Sequence, residues 1–309
     1  MTDPALLTIS MFSREANVSD LWTLDVLGIT DPVEQKTKEI NQREVLDKFL
    51  QTTIVNEEGR YETLLPWKET HPPLTDNRYM AEKRLTKVLN GLESKDLLSD
   101  YQEVFDNWLE EGIIEKVPNH ELAKDGYYLP HRPVIKENST TRIRPVFDAS
   151  AKTKLGPSLN DCLGTGPNLI ELIPHLLMRF RERRIGVIAA IRKAFLQISI
   201  KAEDRDNLRF LWKESPEQSE YQVFRHRRVV FGISSSLFVL GATLDLHLDT
   251  GIVNQDSERD GELLRQLKQS FYVDNCITSV DSLQCAEKFQ EVATRTLKAG
   301  GFDFVTLSR

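Results

Sequence analysis

Residues Ser270 to Ser279 form two short apolar runs around Asp274-Asn275, and no other stretch constrains the fold as tightly. Two strands joined across so short a polar break read as a tight hairpin. A carboxylate then sits on a rigid turn, behind a strand bearing Phe271, Tyr272 and Val273. Fixed oxygen geometry suits a hard cation such as Mg²⁺. An ordinary Asp-Asn turn has the same sequence, and from these residues alone it is the favoured reading.

Strand and helix signals alternate around this hairpin. Gly186 to Ile191 reads as a buried strand, and Leu208 to Trp212 and Tyr221 to Val230 as further strands. Tyr127 to Lys136 and Thr141 to Phe147 read as a second hairpin across the polar turn at 137–140. Apolar residues at Ala81, Leu85, Val88, Leu89 and Leu92 have helical spacing, and so do Tyr101, Val104, Phe105, Trp108 and Leu109, ahead of a stop at Gly112. Helices are also expected over Gln35 to Leu50, Asn168 to Arg184, Ser235 to Leu248 and Ser282 to Leu297. Together these signals describe an α+β fold, with helices packed on an antiparallel sheet.

Composition narrows the setting. A chain of 309 residues with 40% apolar side chains can bury one large core or two smaller ones. Its charged fraction of 28% and mean hydropathy of -0.38 describe a soluble globular protein. No apolar run approaches the roughly 20 residues of a membrane helix, and Gly186 to Ile191 is far too short. The opening MTDPALLTISMF has no basic leader region, so no signal peptide is expected. Cys162, Cys276 and Cys285 have no metal-binding spacing and cannot all pair, which favours a reducing, intracellular and cytoplasmic setting. The net charge of -7 argues against a nucleic-acid partner when taken whole. The charge is unevenly spread, however: Met1 to Gly126 carry 14 basic and 25 acidic residues, the remainder 26 and 22. The second part is therefore free to present a basic surface.

Four segments in order carry a family resemblance. The basic hairpin holds Arg132-Pro133-Val134-Ile135-Lys136 and Arg142-Ile143-Arg144-Pro145-Val146-Phe147-Asp148. Val187 to Ile198 reads VIAAIRKAFLQI, Val229 to Phe238 reads VVFGISSSLF, and Tyr272-Val273-Asp274-Asn275 closes the set. In this order they resemble the fingers and palm motifs of retroelement reverse transcriptases. Within that group the chain resembles the BEL/Pao class of long-terminal-repeat retrotransposons, through Arg144 to Ser150, Leu159-Asn160-Asp161-Cys162-Leu163, Leu208 to Trp212 and Ser270 to Ser279. The resemblance runs from about Tyr79 to Phe302 and is weaker upstream, at Leu21-Trp22 and Leu65-Pro66-Trp67.

The resemblance implies a right-hand polymerase fingers and palm over 77–309, with the motifs at about 127–302, behind an acidic linker-like region at 1–76. It implies a truncation before the thumb and connection, because the sequence stops soon after Gly300-Gly301-Phe302. The implied partners are an RNA or DNA template-primer and a deoxynucleoside triphosphate, in the cytoplasm or in retroelement particles and away from membranes. Lys136 and Arg144 would reach the triphosphate, Phe195 would lie under the sugar, and Gly232 would admit the backbone close to nucleotide or template. Without the resemblance, Lys136 and Arg144 read as solvated hairpin charges and Phe195 as core. Two Mg²⁺ ions about 3.5–4 Å apart would stabilise phosphoryl transfer, held by carboxylates on two strands. Asp274 supplies one of these, beside Asn275. The other belongs at position 190, which is Ala190. The expectation is a reverse transcriptase-like domain that is defective in this copy, the alternatives being a non-catalytic nucleic-acid-binding palm or an inactive relic.

Two further features invite a reading. Asp249-Thr250-Gly251 copies the aspartic protease tripeptide but ends an apolar helical run, so coincidence is expected. Arg179, Arg181, Arg183 and Arg184 suit a helix C-terminus, or else a nucleic-acid contact.

Overall fold

The computed structural model describes residues 32–135, 142–154, 156–167, 172–213, 217–254 and 257–306. The chain divides into two units, Met1–Glu44 and Val45–Arg309. In the first, the described residues belong to helix α1 (Pro32–Thr52). Everything below concerns the second.

Strands β1 (Ile54–Val55) and β2 (Tyr61–Thr63) form an antiparallel pair closed by a turn at Gly59. Buried Asp204 ties down the segment that follows: its carboxylate accepts from the Leu65 amide at 2.6 Å and from Trp67 Nε1 at 2.9 Å. Helix α2 (Arg78–Glu93) buries Ala81, Leu85, Leu89 and Leu92, the face expected from the spacing. Just before it, the amide of buried Asn77 pairs with Tyr128 as a strand would, donating to its carbonyl and accepting from its N–H. Helix α3 (Leu98–Glu110) buries Tyr101 and Phe105 and stops at Gly112, whose φ of +64° suits glycine.

These helices cover a three-stranded sheet, β3 (Ile114–Lys116), β9 (Gln222–His226) and β8 (Arg209–Trp212), and the hairpin of β4 (His131–Ile135) with β5 (Ile143–Phe147). Between them lies an aromatic core. Phe105 meets Trp212 and Phe210 at 5.1 and 5.2 Å, and Phe147 meets Phe210 at 5.2 Å and His226 at 4.4 Å. Each buried ring contributes about 2–3 kcal/mol by removal from water, and edge contacts add roughly 0.5–1.5 kcal/mol.

The remaining sheet carries the central hairpin. Its order is β10 (Phe271–Tyr272), β11 (Asn275–Val280), β6 (Ile185–Ile191) and β12 (Phe304–Thr306), antiparallel throughout. A short strand β7 (Ser199–Ile200) pairs with β2 in parallel. Helices α4 (Ile173–Glu182), α5 (Ser236–Val253), α6 (Glu258–Lys268) and α7 (Leu283–Ala299) complete this half. Leu244, Leu248, Leu264, Leu267, Phe289, Val292 and Leu297 form its core.

Four expectations need correction. β6 is not buried throughout: Val187, Ala189 and Ile191 are buried, whereas Gly186 and Ile188 are exposed. Burial along the strand alternates with the period of two that side chains follow in a sheet. The helix expected over Asn168 to Arg184 starts at Ile173, with Pro174 in its first turn, where the missing N–H costs nothing. Residues 168–171 lie outside the described residues, and Leu172 and Leu177 are exposed. The helix expected to end at Leu248 runs on to Val253 and contains Asp249-Thr250-Gly251. By length and composition this 18-residue helix is apolar enough to cross a membrane, and half of it is buried inside the fold. Helix α6 is the fourth: it was not expected, because Glu258, Arg259, Asp260 and Glu262 dominate its sequence and a glycine interrupts it. Its signals are the Ser257 cap on the Asp260 amide and the buried set Gly261, Leu264 and Leu267.

Candidate functional site

Tyr272 and Asn275 are paired across the hairpin, so the loop consists of Val273 and Asp274 rather than Asp274 and Asn275. A two-residue hairpin loop of this kind needs a positive φ at its first position, where glycine is usual. Val273 occupies that place with φ +60°. A β-branched residue is strained in the left-handed region, and the loop holds it because both flanking strands are fixed in the sheet.

Strand β6 runs beside β11 and brings the two polymerase-like motifs together. Ala190 stands directly opposite Asn275, and the Ile191 N–H donates to the Asp274 carbonyl at 2.8 Å. Asn275 Nδ2 donates to Asp274 Oδ1 at 2.9 Å. On the other side of β6, Ala190 pairs with Val305, and Arg192 forms an ion pair with Asp303 at 3.3 Å. Lys193 turns away with φ +48° and places Nζ 2.7 Å from Glu111. Cys276, next to Asn275, is fully buried, and burial pushes its thiol up to about 12, which makes it inert.

A Mg²⁺ ion wants six oxygen ligands in near-octahedral array, and a two-ion site wants carboxylates from both strands. Here β11 offers Asp274 and an amide, and β6 offers a methyl group with a guanidinium two residues on. Among the described residues no three of His, Cys, Asp and Glu come together as a metal group. The donor set does not fit the ion pair that polymerisation requires.

Arg144 is exposed on β5, paired with Val134 of β4, while Lys136 lies outside the described residues. Phe195 follows β6 in a short turn and is buried, edge-on to Phe231 at 4.5 Å. Phe231, not singled out from the sequence, is 57% exposed and presents the open aromatic face of this pair.

Gly232 comes next, with φ +101°. A Cβ there would stand 1.9 Å from the Phe147 carbonyl oxygen, so the residue is fixed both by its backbone conformation and by its approach to β5. That approach is to the protein's own backbone.

Asn160 holds the same turn. Its Nδ2 donates to Ser150 Oγ at 2.8 Å and to the Gly232 carbonyl at 3.3 Å, and its Oδ1 accepts from the Ser234 amide at 2.8 Å. A capping box between Ser158 and Asp161 anchors the short helix that carries it. Asn160 lay within a segment quoted for resemblance, without a role. Only the fold shows that this segment joins the end of β5 to the glycine turn.

A scan against protein-family models finds no match, and a search of curated proteins finds none. Among solved structures the chain is similar to a crystal structure of a prototype foamy virus protease-reverse transcriptase, with TM-score 0.51 and 14% identity, over 89% of this chain and 32% of that one. Two foamy viral protease-reverse transcriptases solved with double-stranded DNA give TM-scores of 0.49 and 0.46 at 14% and 17% identity, over 89% and 66% of this chain. The chain spans 32–43% of the length of these proteins. The likeness at 0.51 shows the fold: this is a reverse-transcriptase-like α+β domain of the fingers and palm type.

Proposed function

We propose that the chain is the fingers–palm region of a BEL/Pao-class retrotransposon reverse transcriptase, and that this copy does not polymerise. One observation carries the reading: Ala190 faces Asn275 across the β6–β11 pair, beside Asp274, where a second carboxylate would complete a Mg²⁺ site. Loss of that ligand costs several kcal/mol at the transition state, roughly a thousandfold or more in rate. The basic hairpin keeps its part in this reading. Arg144 and Lys136 hold phosphate oxygens of a deoxynucleoside triphosphate or template-primer through charge-assisted hydrogen bonds. Phe195, buried against Phe231, shapes the floor beneath the sugar.

Primer extension on an RNA template with Mg²⁺, comparing this chain with Ala190→Asp, tests the proposal. Extension by the Ala190→Asp variant alone supports it. Extension by both removes the defect from the proposal. Extension by neither shows that position 190 is not what blocks catalysis.

A further inference from the structure

The far end of the same sheet holds a feature the polymerase reading does not use. A cleft of about 660 Å³ opens between α4, α6, the end of β11 and the first turns of α7. Five cations line it, Arg179, Arg183, Arg259, Arg265 and Lys288, against two carboxylates, Glu182 and Glu262. Among the lining residues this is an excess of three positive charges, which Asp281 and Glu291, paired with Arg183 and Lys288 just outside the lining, reduce to one in a chain of net charge -7. Ser279 lies four residues along β11 from Asn275, about 13 Å at the rise of an extended strand.

Three of the cations are engaged. Arg179 Nη1 donates to the Gln269 carbonyl at 2.6 Å, and Arg183 Nη1 to Asp281 at 2.9 Å. Lys288 faces Glu291 at 3.3 Å. These contacts resolve half of the arginine-cluster question, because Arg179 and Arg183 brace α4 against its neighbours. Arg259 and Arg265 differ: among the described residues their guanidinium groups have no acceptor. Both project from α6, and together with the engaged three they leave the cleft short of negative charge. Like charges gathered between protein walls raise the local potential and draw in an anion. Planar guanidinium forks match phosphate oxygens bidentately, as they do carboxylates, and two of them side by side favour an anion with more than two oxygens. The volume suits a ligand of nucleotide size.

We propose that this cleft binds a phosphate-bearing anion, at a site separate from the Asp274 hairpin and independent of whether the palm polymerises. Small polyphosphates and the backbone of a single strand share that chemistry, and two probes distinguish them. Tripolyphosphate and a fluorescent dT12 are titrated into the full chain at about 50 mM salt, in a Lys136→Gln, Arg144→Gln background that removes the phosphate contacts proposed for the hairpin. Binding of tripolyphosphate marks a small-anion site, and binding of dT12 alone marks a strand site. In either case Arg259→Gln with Arg265→Gln weakens the bound probe about tenfold or more, while circular dichroism shows the fold retained. Glu262→Gln removes a repelling carboxylate and tightens binding a few-fold, a gain that damage to the fold cannot mimic. Affinities unchanged by these substitutions, or no binding of either probe, overturn the proposal.

Discussion

Two buried histidines lower the stability of this fold as pH falls from 7 to 5, against an opposing contribution from Asp204 and Asp245, which burial raises. His131 is held in the aromatic core with Nδ1 2.9 Å from the Tyr101 hydroxyl and Nε2 3.0 Å from the Leu211 carbonyl. That pairing suits the neutral ring: Nε2–H donates to the carbonyl, and Nδ1 accepts from the hydroxyl. His226 lies 4.4 Å from the Phe147 ring, and among the described residues neither of its nitrogens has a partner. Burial lowers His131 from 6.5 to about 4, against a small opposing pull from Leu211. Burial, helped by nearby His131, lowers His226 to about 3. Both folded values lie below the unfolded one, so between these limits the unfolded chain binds protons that the native chain refuses. Stability from this source is intact above pH 6.5 and is lost as pH falls toward 4 and then 3. At about 1.4 kcal/mol per unit per proton, lowering pH from 7 to 5 costs about 2 kcal/mol for each histidine, about 4 kcal/mol together. The window stops at 5 because Glu58, Glu121 and Asp161, all lowered by their partners, begin to contribute below it. Urea unfolding followed by circular dichroism at the two pH values measures the loss. His226→Phe should halve it, and should raise stability at pH 7 by about 1–3 kcal/mol, because no unpaired nitrogen is then buried. A native state equally stable at pH 7 and 5, or a variant with undiminished pH dependence, refutes the reasoning.

Two substitutions test the framework around the site. Gly232→Ala puts a Cβ against the Phe147 carbonyl at a φ that alanine disfavours, so denaturant unfolding should show a loss of about 3 kcal/mol or more. Arg209 has no exposed side-chain surface; it reaches Asp206 at 3.0 Å and the Glu121 carbonyl at 2.8 Å, and Gly126 has no side chain to collide with it. Arg209→Ala should therefore cost about 3–5 kcal/mol in the same measurement, and a loss below 1 kcal/mol would mean that this buried network contributes little.

Local signals were legible where they coincide with burial. The helix faces at Ala81 to Leu92 and the alternation of apolar runs at 270–279 state their partners in the sequence, because the same residues that set the period also fill the core. α6 was not legible, because its buried residues are two leucines and a glycine among charges. The exposed face of β6 was also hidden, since isoleucine and glycine on an open face read like isoleucine and glycine in a core. Asn160 and Phe231 carry no local signal: their positions come from contacts with β5 and Phe195, which lie far away in the chain.

Under the proposed reading, the demands of fold and of activity part company at Ala190. A strand position flanked by Asn275 and Val305 needs a residue that tolerates extended backbone between two hydrogen-bonded neighbours, and alanine does so without strain. In the proposed reading, catalysis would need something different at the same place: an oxygen, charged and held within reach of the Asp274 carboxylate. The sheet therefore loses nothing by the exchange, and no backbone rearrangement is required to reverse it. If β6 kept its register only because a carboxylate had been removed, Ala190→Asp would lower stability. With Ala190 half-buried on the open face, an aspartate there reaches solvent, and the cost of restoring it should stay within about 1 kcal/mol.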